Sequence, residues 1–230
     1  MTTRKDFLVA GTLVAAIPGT ALADAPVATS PASKVDFDTA AFTKLLSGPQ
    51  SHKHLFASVE ISGGEVFSAM RNTLNAYKDI GVAWSDVYPV AVLYHGFAVL
   101  MAFDDTIWNQ YIIPYAAQLV KGHGGLNQIM SIHKDGSTGN PCLVKQGGAS
   151  DTSIPSLVAD AGARFFVCNN AAHGMARAFA KGLNKPADTV YSDLTQHLVM
   201  NAQLVPAGVW AVHAIQEQHF TLLHTSLAPG

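Results

Sequence analysis

One cysteine, Cys168, lies at the predicted carboxyl end of a strand, which is where active sites of parallel α/β proteins are usually found. Residues 163–167 form a short apolar run that predicts a strand, and the alanine-rich run 171–181 predicts a helix. Cys168 lies between them, near the positive end of the helix dipole, which favours the reactive thiolate over the thiol. Asn169 or Asn170 is expected to cap the helix. Because ligands gather at the carboxyl ends of parallel strands, Cys168 is the candidate catalytic nucleophile.

Two histidines and a glycine could complete a site around this cysteine. His95 and Gly96 follow the apolar run 87–93, which is typical of a strand buried on both faces, so they should lie at the same edge of the sheet. His173 lies one turn into the helix after Cys168 and could stabilise a thiolate. The alternatives are a His95 satisfied by backbone groups at a turn and a His173 on the helix surface. The residues expected to contact a ligand are His95, Gly96, Asn169, Asn170 and His173.

The second cysteine of the chain, Cys142, lies in a glycine-rich stretch, 121–152, that predicts a long and weakly structured insertion. In an oxidising compartment Cys142 and Cys168 could form a disulfide, and in a reversible version Cys142 would be the redox partner that resolves what Cys168 binds. Nothing in the local sequence requires the two thiols to meet.

The histidine-rich composition allows a metal-binding alternative. The candidate ligands, suited to zinc or copper, are His95, His123, His133, Cys142, Cys168 and His173. No pair of them has C-x-x-C or H-x-x-x-H spacing, and the C-x-x-C-H haem attachment motif is absent. We therefore predict neither a metal nor a cofactor.

The composition narrows the class of partner. Of the 230 residues 49% are hydrophobic and only 13% are charged, with a formal net charge of -2. An average domain has about 25% charged residues, so this chain is unusually apolar. Without a basic block it is a poor match for nucleic acid or for an anionic membrane surface.

The N-terminus resembles an export signal. Arg4 and Lys5 precede an apolar run over 7–17 and the A-x-A site at 21–23, which predicts a signal peptide over 1–23 that is cleaved after Ala23. The apolar run is too short for a stable membrane span, so we expect a periplasmic protein with no membrane attachment after processing. T-R-K-D-F-L is similar to a twin-arginine motif with Lys5 in place of the second arginine, which leaves the export route open.

The remaining chain predicts one α/β domain. Residues 24–51 are expected to form a tether with a short helix over 37–46, and 52–230 the domain. Ser62 and Glu65 fit a capping box at the start of the first domain helix. Five apolar runs separated by helical patterns predict strands, at 53–61, 87–93, 163–167, 200–205 and 219–224. This alternation predicts a three-layer α/β/α sandwich with a mainly parallel five-stranded sheet.

The order of these pieces resembles the DsrE/DsrF-like family of small α/β proteins over about residues 53–223. Four motifs carry the resemblance: S-A-M-R-N-T-L-N at 68–75, a strand that ends in His95-Gly96, F-F-V-C-N-N at 165–170, and V-P-A-G-V-W-A-V-H-A-I-Q at 205–216. Two features depart from the sulfur-relay members, which are cytoplasmic: the export signal and the glycine-rich insertion.

The resemblance implies a sulfur-handling protein that holds a persulfide on Cys168. The expected partners are a sulfur-carrying small molecule or the thiol of an acceptor protein, and the expected assembly is a homo-oligomer that buries aromatic surface around Trp108–Tyr115. Two other classes stay open. One is a non-catalytic oligomeric binding or assembly module, and the other is the His/Cys metal-binding protein.

Overall fold

A computed structural model of the chain describes residues 37–118, 124–134 and 136–225. The predicted signal peptide, most of the tether before the first helix, and His123 lie outside the described residues. Among the helices within them, none combines the length and apolar character needed to cross a membrane.

The centre of the domain is a five-stranded parallel sheet, in which the order of strands is β4-β3-β2-β1-β5. The strands are β1 (His52–Ser58), β2 (Val87–Leu93), β3 (Arg164–Cys168), β4 (Ala202–Val205) and β5 (Thr221–His224). Every residue of β2 is buried, as expected for a strand covered on both faces. The predicted three-layer sandwich with a five-stranded sheet is confirmed.

Nine helices of the described chain surround the sheet. They are α1 (Thr39–Leu46), α2 (Glu65–Asp79), α3 (Asp105–Ile107), α4 (Ile113–Gln118), α5 (Gly124–Met130), α6 (Ile154–Ala161), α7 (Asn169–Leu183), α8 (Ala187–Gln196) and α9 (Gly208–Gln216). A π-helical turn joins α3 to α4 just before Pro114, whose missing N–H interrupts the regular helix.

Different helices pack on the two faces of the sheet. One face, here called the α2 face, packs Phe56, Leu93 and Phe165 against the larger hydrophobic cluster, which includes α2, α6 and α7. The opposite face, the α9 face, packs Leu55 and Phe166 against α1 and α9. Strand residues alternate between these faces because successive side chains of a strand point in opposite directions.

Two local expectations need correction. The folded domain begins earlier than residue 52, because Phe42 and Leu46 of α1 are buried on the α9 face. Ser62 does not cap α2: it lies in a short 3-10 turn at φ 43°, and Gly64, which is left-handed, occupies the N-cap position. Two consecutive glycines allow this tighter entry, which replaces the capping box.

The glycine-rich insertion is also more ordered than predicted. Its described part contains α5, and it buries Ile129, His133, Asn140 and Cys142. Side chains of this segment therefore contribute to the core and do not form a loose loop.

Candidate functional site

A cavity of about 290 Å3 opens at the carboxyl ends of β2 and β3. Three segments form its walls: the turn after β2, the junction between β3 and α7, and the first residues of α9. The lining residues are Tyr94, His95, Gly96, Cys168, Asn170, Ala171, Ala207, Gly208 and Val209. This is the place where ligands bind in parallel α/β sheets, and we refer to it as the Cys168 cavity.

The turn after β2 brings His95 to the mouth of the cavity. His95 has φ 65° and Gly96 has φ 36°, so the chain turns sharply through left-handed conformations that a histidine seldom adopts. His95 is exposed and also lines a neighbouring cavity of about 330 Å3 together with Glu60 and Gln128. The strained turn keeps an imidazole in reach of both cavities.

The first residue of α9 sets how closely that helix approaches the turn. A Cβ atom on Gly208 would lie 2.0 Å from Cβ of Tyr94, so only glycine fits at this position without movement. The Tyr94 hydroxyl lies 3.3 Å from Nε2 of His224, and burial raises the pKa of Tyr94. Neither Tyr94 nor Gly208 was singled out from the sequence, although the Pro206-Ala207-Gly208 turn before a helix was a usable signal.

Cys168 is both the last residue of β3 and the N-cap of α7. It pairs with Val205 of β4, and only 6% of it is exposed to solvent. The expectation that Asn169 or Asn170 caps the helix is wrong, because the helix begins one residue earlier, at Asn169. Cys168 nevertheless lies at a strand-to-helix junction, as predicted.

Two of the predicted ligand residues point elsewhere. Oδ1 of Asn169 accepts a 2.6 Å hydrogen bond from the hydroxyl of Tyr191, and the His173 ring stacks on the Tyr191 ring at a centroid distance of 3.6 Å. Asn169 and His173 are four residues apart, so they share one face of α7, and that face packs against α8. Burial and then Arg177 lower the pKa of His173. Of the predicted residues, His95, Gly96, Cys168 and Asn170 meet at the cavity, whereas Asn169 and His173 join α7 to α8.

Cys142 lines a different cavity, of about 230 Å3, and the two cavities have no described lining residue in common. Both cysteines are free, so their placement gives no support to Cys142 as a redox partner. Burial raises the pKa of Cys142 to about 12, which leaves it a neutral thiol near neutral pH. Its backbone is fixed by Asn140, whose Oδ1 accepts from the Cys142 N–H and whose Nδ2 donates to the carbonyls of Met101 and Phe103.

A second polar network holds the chain that follows Cys142. The carboxylate of Asp151 accepts hydrogen bonds from Gly147, Ser153 and Ser156. Burial opposes ionisation of Asp151, but these hydrogen bonds outweigh it and hold the pKa of the carboxyl well below its usual range. Nε of the buried Arg71 donates to the Asp151 carbonyl at 2.6 Å, and its Nη2 pairs with Asp160 at 2.8 Å.

The candidate ligands of the metal-binding alternative do not come together within the described chain, where no group of three or more His, Cys, Asp or Glu residues could hold a metal ion. His133 is buried, stacks on Trp108 and places its Nε2 3.1 Å from the carbonyl of Ser137. The aromatic surface expected around Trp108 needs correction as well: Trp108 is fully buried and Tyr111 is 1% exposed, so both rings belong to the core and not to an interface.

Comparison with known proteins leaves the family open. No protein-family model matches the chain, and neither does any curated protein. A solved structure of a protein of unknown function from Methanobacterium thermoautotrophicum aligns with 75% of this chain and 98% of its own, at 13% sequence identity and a TM-score of 0.33.

Proposed function

We propose that the chain is an exported, DsrE-like sulfur carrier, which accepts sulfane sulfur on Cys168 and passes it to a second thiol. The observation that carries the proposal is the position of Cys168. This residue lines a cavity at the carboxyl edge of a parallel sheet, and the exposed His95 lines the same cavity. Export and a periplasmic location rest on the signal-like sequence of residues 1–23.

The transfer needs no external oxidant. Sγ of Cys168 attacks the terminal sulfur of a persulfide, R–S–SH, and the new S–S bond forms as the bond between the two donor sulfurs breaks. His95 takes the thiol proton of Cys168 and returns a proton to the departing RS⁻, so that the products are the Cys168 persulfide and RSH. An acceptor thiol then attacks the outer sulfur of Cys168 in the same way and restores the free cysteine.

The walls of the cavity favour one class of donor. The lining includes Tyr94, Ala171, Ala207 and Val209, and no lysine or arginine is among the lining residues that the structure describes. A dianion such as thiosulfate would lose its hydration there without gaining an ion pair. The N-termini of α7 and α9 provide partial positive charge, which suits a single developing negative charge on sulfur. We therefore expect a small, weakly charged persulfide or polysulfide as the donor.

An assembly module is the second candidate function. It is favoured by the low exposure of Cys168, 6%, which is typical of a cysteine that only fills space. Labelling separates the two candidates, because a carrier thiol must react in the folded protein. If Cys168 is inert to iodoacetamide in the native reduced protein and reacts only after unfolding, the sulfur-carrier proposal is wrong.

Intact mass is the direct test of the proposed function. The mature protein is exposed in separate samples to a persulfide of a small thiol, to polysulfide and to thiosulfate. We expect the first two to add the mass of one sulfur atom, Cys168→Ser to abolish the addition, and Cys142→Ser to leave it unchanged. Thiosulfate should add nothing. Metal analysis of protein purified without a His-tag tests the metal-binding alternative separately.

A further inference from the structure

The strand β5 forms one edge of the sheet and leaves apolar side chains exposed there. All four residues of β5 are exposed, including Leu222 at 42% and Leu223 at 49%. The strand is nevertheless fixed in place. It pairs with β1, and Oγ1 of Thr221 lies 2.7 Å from Nδ1 of His54, whose Nε2 lies 2.9 Å from the hydroxyl of Tyr77. An ordered strand with leucines exposed on both of its faces is a surface suited to contact.

The backbone of β5 specifies what kind of partner fits. The N–H of Thr225 donates to the carbonyl of Ala57 in β1. Because backbone groups alternate sides along a strand, the N–H and C=O groups of Leu222 and His224 point away from β1. On this side β5 has no neighbouring strand among the described residues. A partner must therefore offer a strand edge of its own, and not only an apolar patch.

β5 lacks the devices with which edge strands usually avoid such pairing. Its sequence, T-L-L-H, contains no lysine, no proline and no acidic residue. The opposite edge differs: β4 is less exposed and is followed directly by Pro206. None of the four residues of β5 is a lysine, an arginine or a carboxylate, so pairing of two copies through these residues places no such charges directly opposite each other. This uncharged, self-complementary edge favours a second copy of the chain over a charged partner.

We propose that two copies of the chain pair antiparallel through β5 around a two-fold axis, which joins their sheets into one. Antiparallel pairing places outward-facing residues opposite one another, so Leu222 of one copy faces His224 of the other. Leu223 then lies on the axis, opposite Leu223 of the second copy. In each copy Leu223 is beside Phe56 on the α2 face and Leu222 is beside Leu55 on the α9 face, so the contact continues both hydrophobic layers.

Sedimentation of the full chain tests the association. We expect a dimer whose fraction rises with concentration in the micromolar to submillimolar range, since a four-residue strand gives a small contact. Leu223→Lys should abolish it, because two like charges would meet on the axis. Met200→Lys is the matched control: Met200 is 51% exposed but lies next to β4, and this variant should dimerise like the unmodified chain.

Oxidative cross-linking tests the register. Directly opposite residues in a non-hydrogen-bonded antiparallel pair have Cα atoms about 4.5 Å apart, which suits a disulfide. Leu223→Cys should therefore form a disulfide between two copies, identified by peptide mapping, and Leu222→Cys should not. A monomer at every concentration, a dimer that survives Leu223→Lys, or equal cross-linking of the two cysteine variants would each overturn the proposal. A monomer whose Leu222 and His224 amides are protected from exchange would mean that the chain covers its own edge.

Discussion

The two cysteines of this chain are buried to nearly the same extent, 6% for Cys168 and 8% for Cys142, but their surroundings are built differently. Cys168 lies at a junction of backbone turns around an open cavity, where a glycine and a left-handed histidine leave space for a ligand. Cys142 is fixed by the side chain of Asn140 and lies in a segment braced by further polar bonds. Exposure alone therefore does not distinguish a structural thiol from a candidate reactive one.

The difference lies in what surrounds each thiol. Around Cys142, the buried side chains of Asn140, Arg71 and Asp151 bond to backbone groups of neighbouring segments, and such a network favours one fixed arrangement. Around Cys168, the nearby polar side chains His95 and Asn170 are exposed and can turn toward a bound molecule. If the comparison is correct, changes to the network should alter stability, and changes to the cavity should alter the reactivity of Cys168.

The largest change in unfolding free energy is expected when the ion pair between Arg71 and Asp160, close to the Cys142 segment, is broken. Asp160→Asn removes the charge partner of Arg71, whose side chain is 1% exposed, and leaves a buried cation uncompensated. Because the Asp160 carboxylate is partly exposed, we expect the loss to be that of a hydrogen bond to a charged group, about 1.5–3 kcal/mol of unfolding free energy, which urea denaturation measures. Labelling of Cys142 should become faster in the same variant.

The control for this variant is Asp79→Asn, which alters an exposed carboxylate at the end of α2 and should change stability by no more than about 0.5 kcal/mol. Equal effects of the two substitutions would mean that Arg71 and Asp160 do not brace the region.

The second effect concerns the Cys168 cavity. Gly208→Ala adds a Cβ atom 2.0 Å from that of Tyr94, and overpacking of this kind costs about 1–3 kcal/mol of unfolding free energy. Because α9 must move, the labelling rate of Cys168 should change as well. Gly174→Ala is the control: nothing lies within 4 Å of its added Cβ, and alanine within a helix should stabilise α7 by up to about 1 kcal/mol. Similar stability changes in both variants would contradict the close contact.

The third effect is a pH dependence that belongs to Cys142. Burial raises its pKa to about 12 in the folded chain, whereas an unfolded thiol titrates near 8.5. Below that value both states keep the proton and stability is complete; above it only the unfolded state releases the proton, so stability falls as pH rises. The slope should be about 0.7 kcal/mol per pH unit at about pH 8.5, where half of the unfolded thiols are ionised, and should approach about 1.4 kcal/mol per pH unit near pH 10.

Cys142→Ala isolates this contribution, because it removes one thiol and leaves every other titrating group in place. Urea denaturation across the same pH range should show a correspondingly shallower slope in the variant. Identical slopes for the two proteins would show that burial does not raise the pKa of Cys142 in the folded chain.

The smallest change in unfolding free energy is expected at the contacts of Asn169 and His173, the two predicted ligand residues that lie outside the cavity. Tyr191→Phe removes the hydrogen bond to Asn169 and should lower the unfolding free energy by about 1 kcal/mol, while the labelling rate of Cys168 stays unchanged. Tyr115→Phe keeps the ring contact with Phe179 and serves as the control for loss of a hydroxyl. A large loss of Cys168 reactivity in Tyr191→Phe would return Asn169 to the candidate site.

The sequence predicted what depends on local pattern. Apolar runs located all five strands, and the strand-to-helix junction located Cys168. For β2 and β3 the run is apolar because burial on both faces leaves few polar residues in a strand. Expectations failed where a distant partner decides the outcome. The role of His173 depends on Tyr191, which is brought near only when α7 packs on α8. Trp108 was predicted at an interface, but it is buried partly by His133 of the glycine-rich insertion, a contact that the local sequence does not reveal.

The position of β5 beside β1 has a consequence for the order of folding. The contact between His54 and Thr221 joins residues that are 167 positions apart. The entropy of closing a loop rises with its length, and pairings this distant in sequence slow folding. β1 therefore has one unpaired side until nearly the whole chain has collapsed, and we expect the β1–β5 ladder to be the last part of the sheet to form. Pulse-labelled amide exchange should show protection of Leu223 and Thr225, whose N–H groups face β1, later than that of β2 and β3.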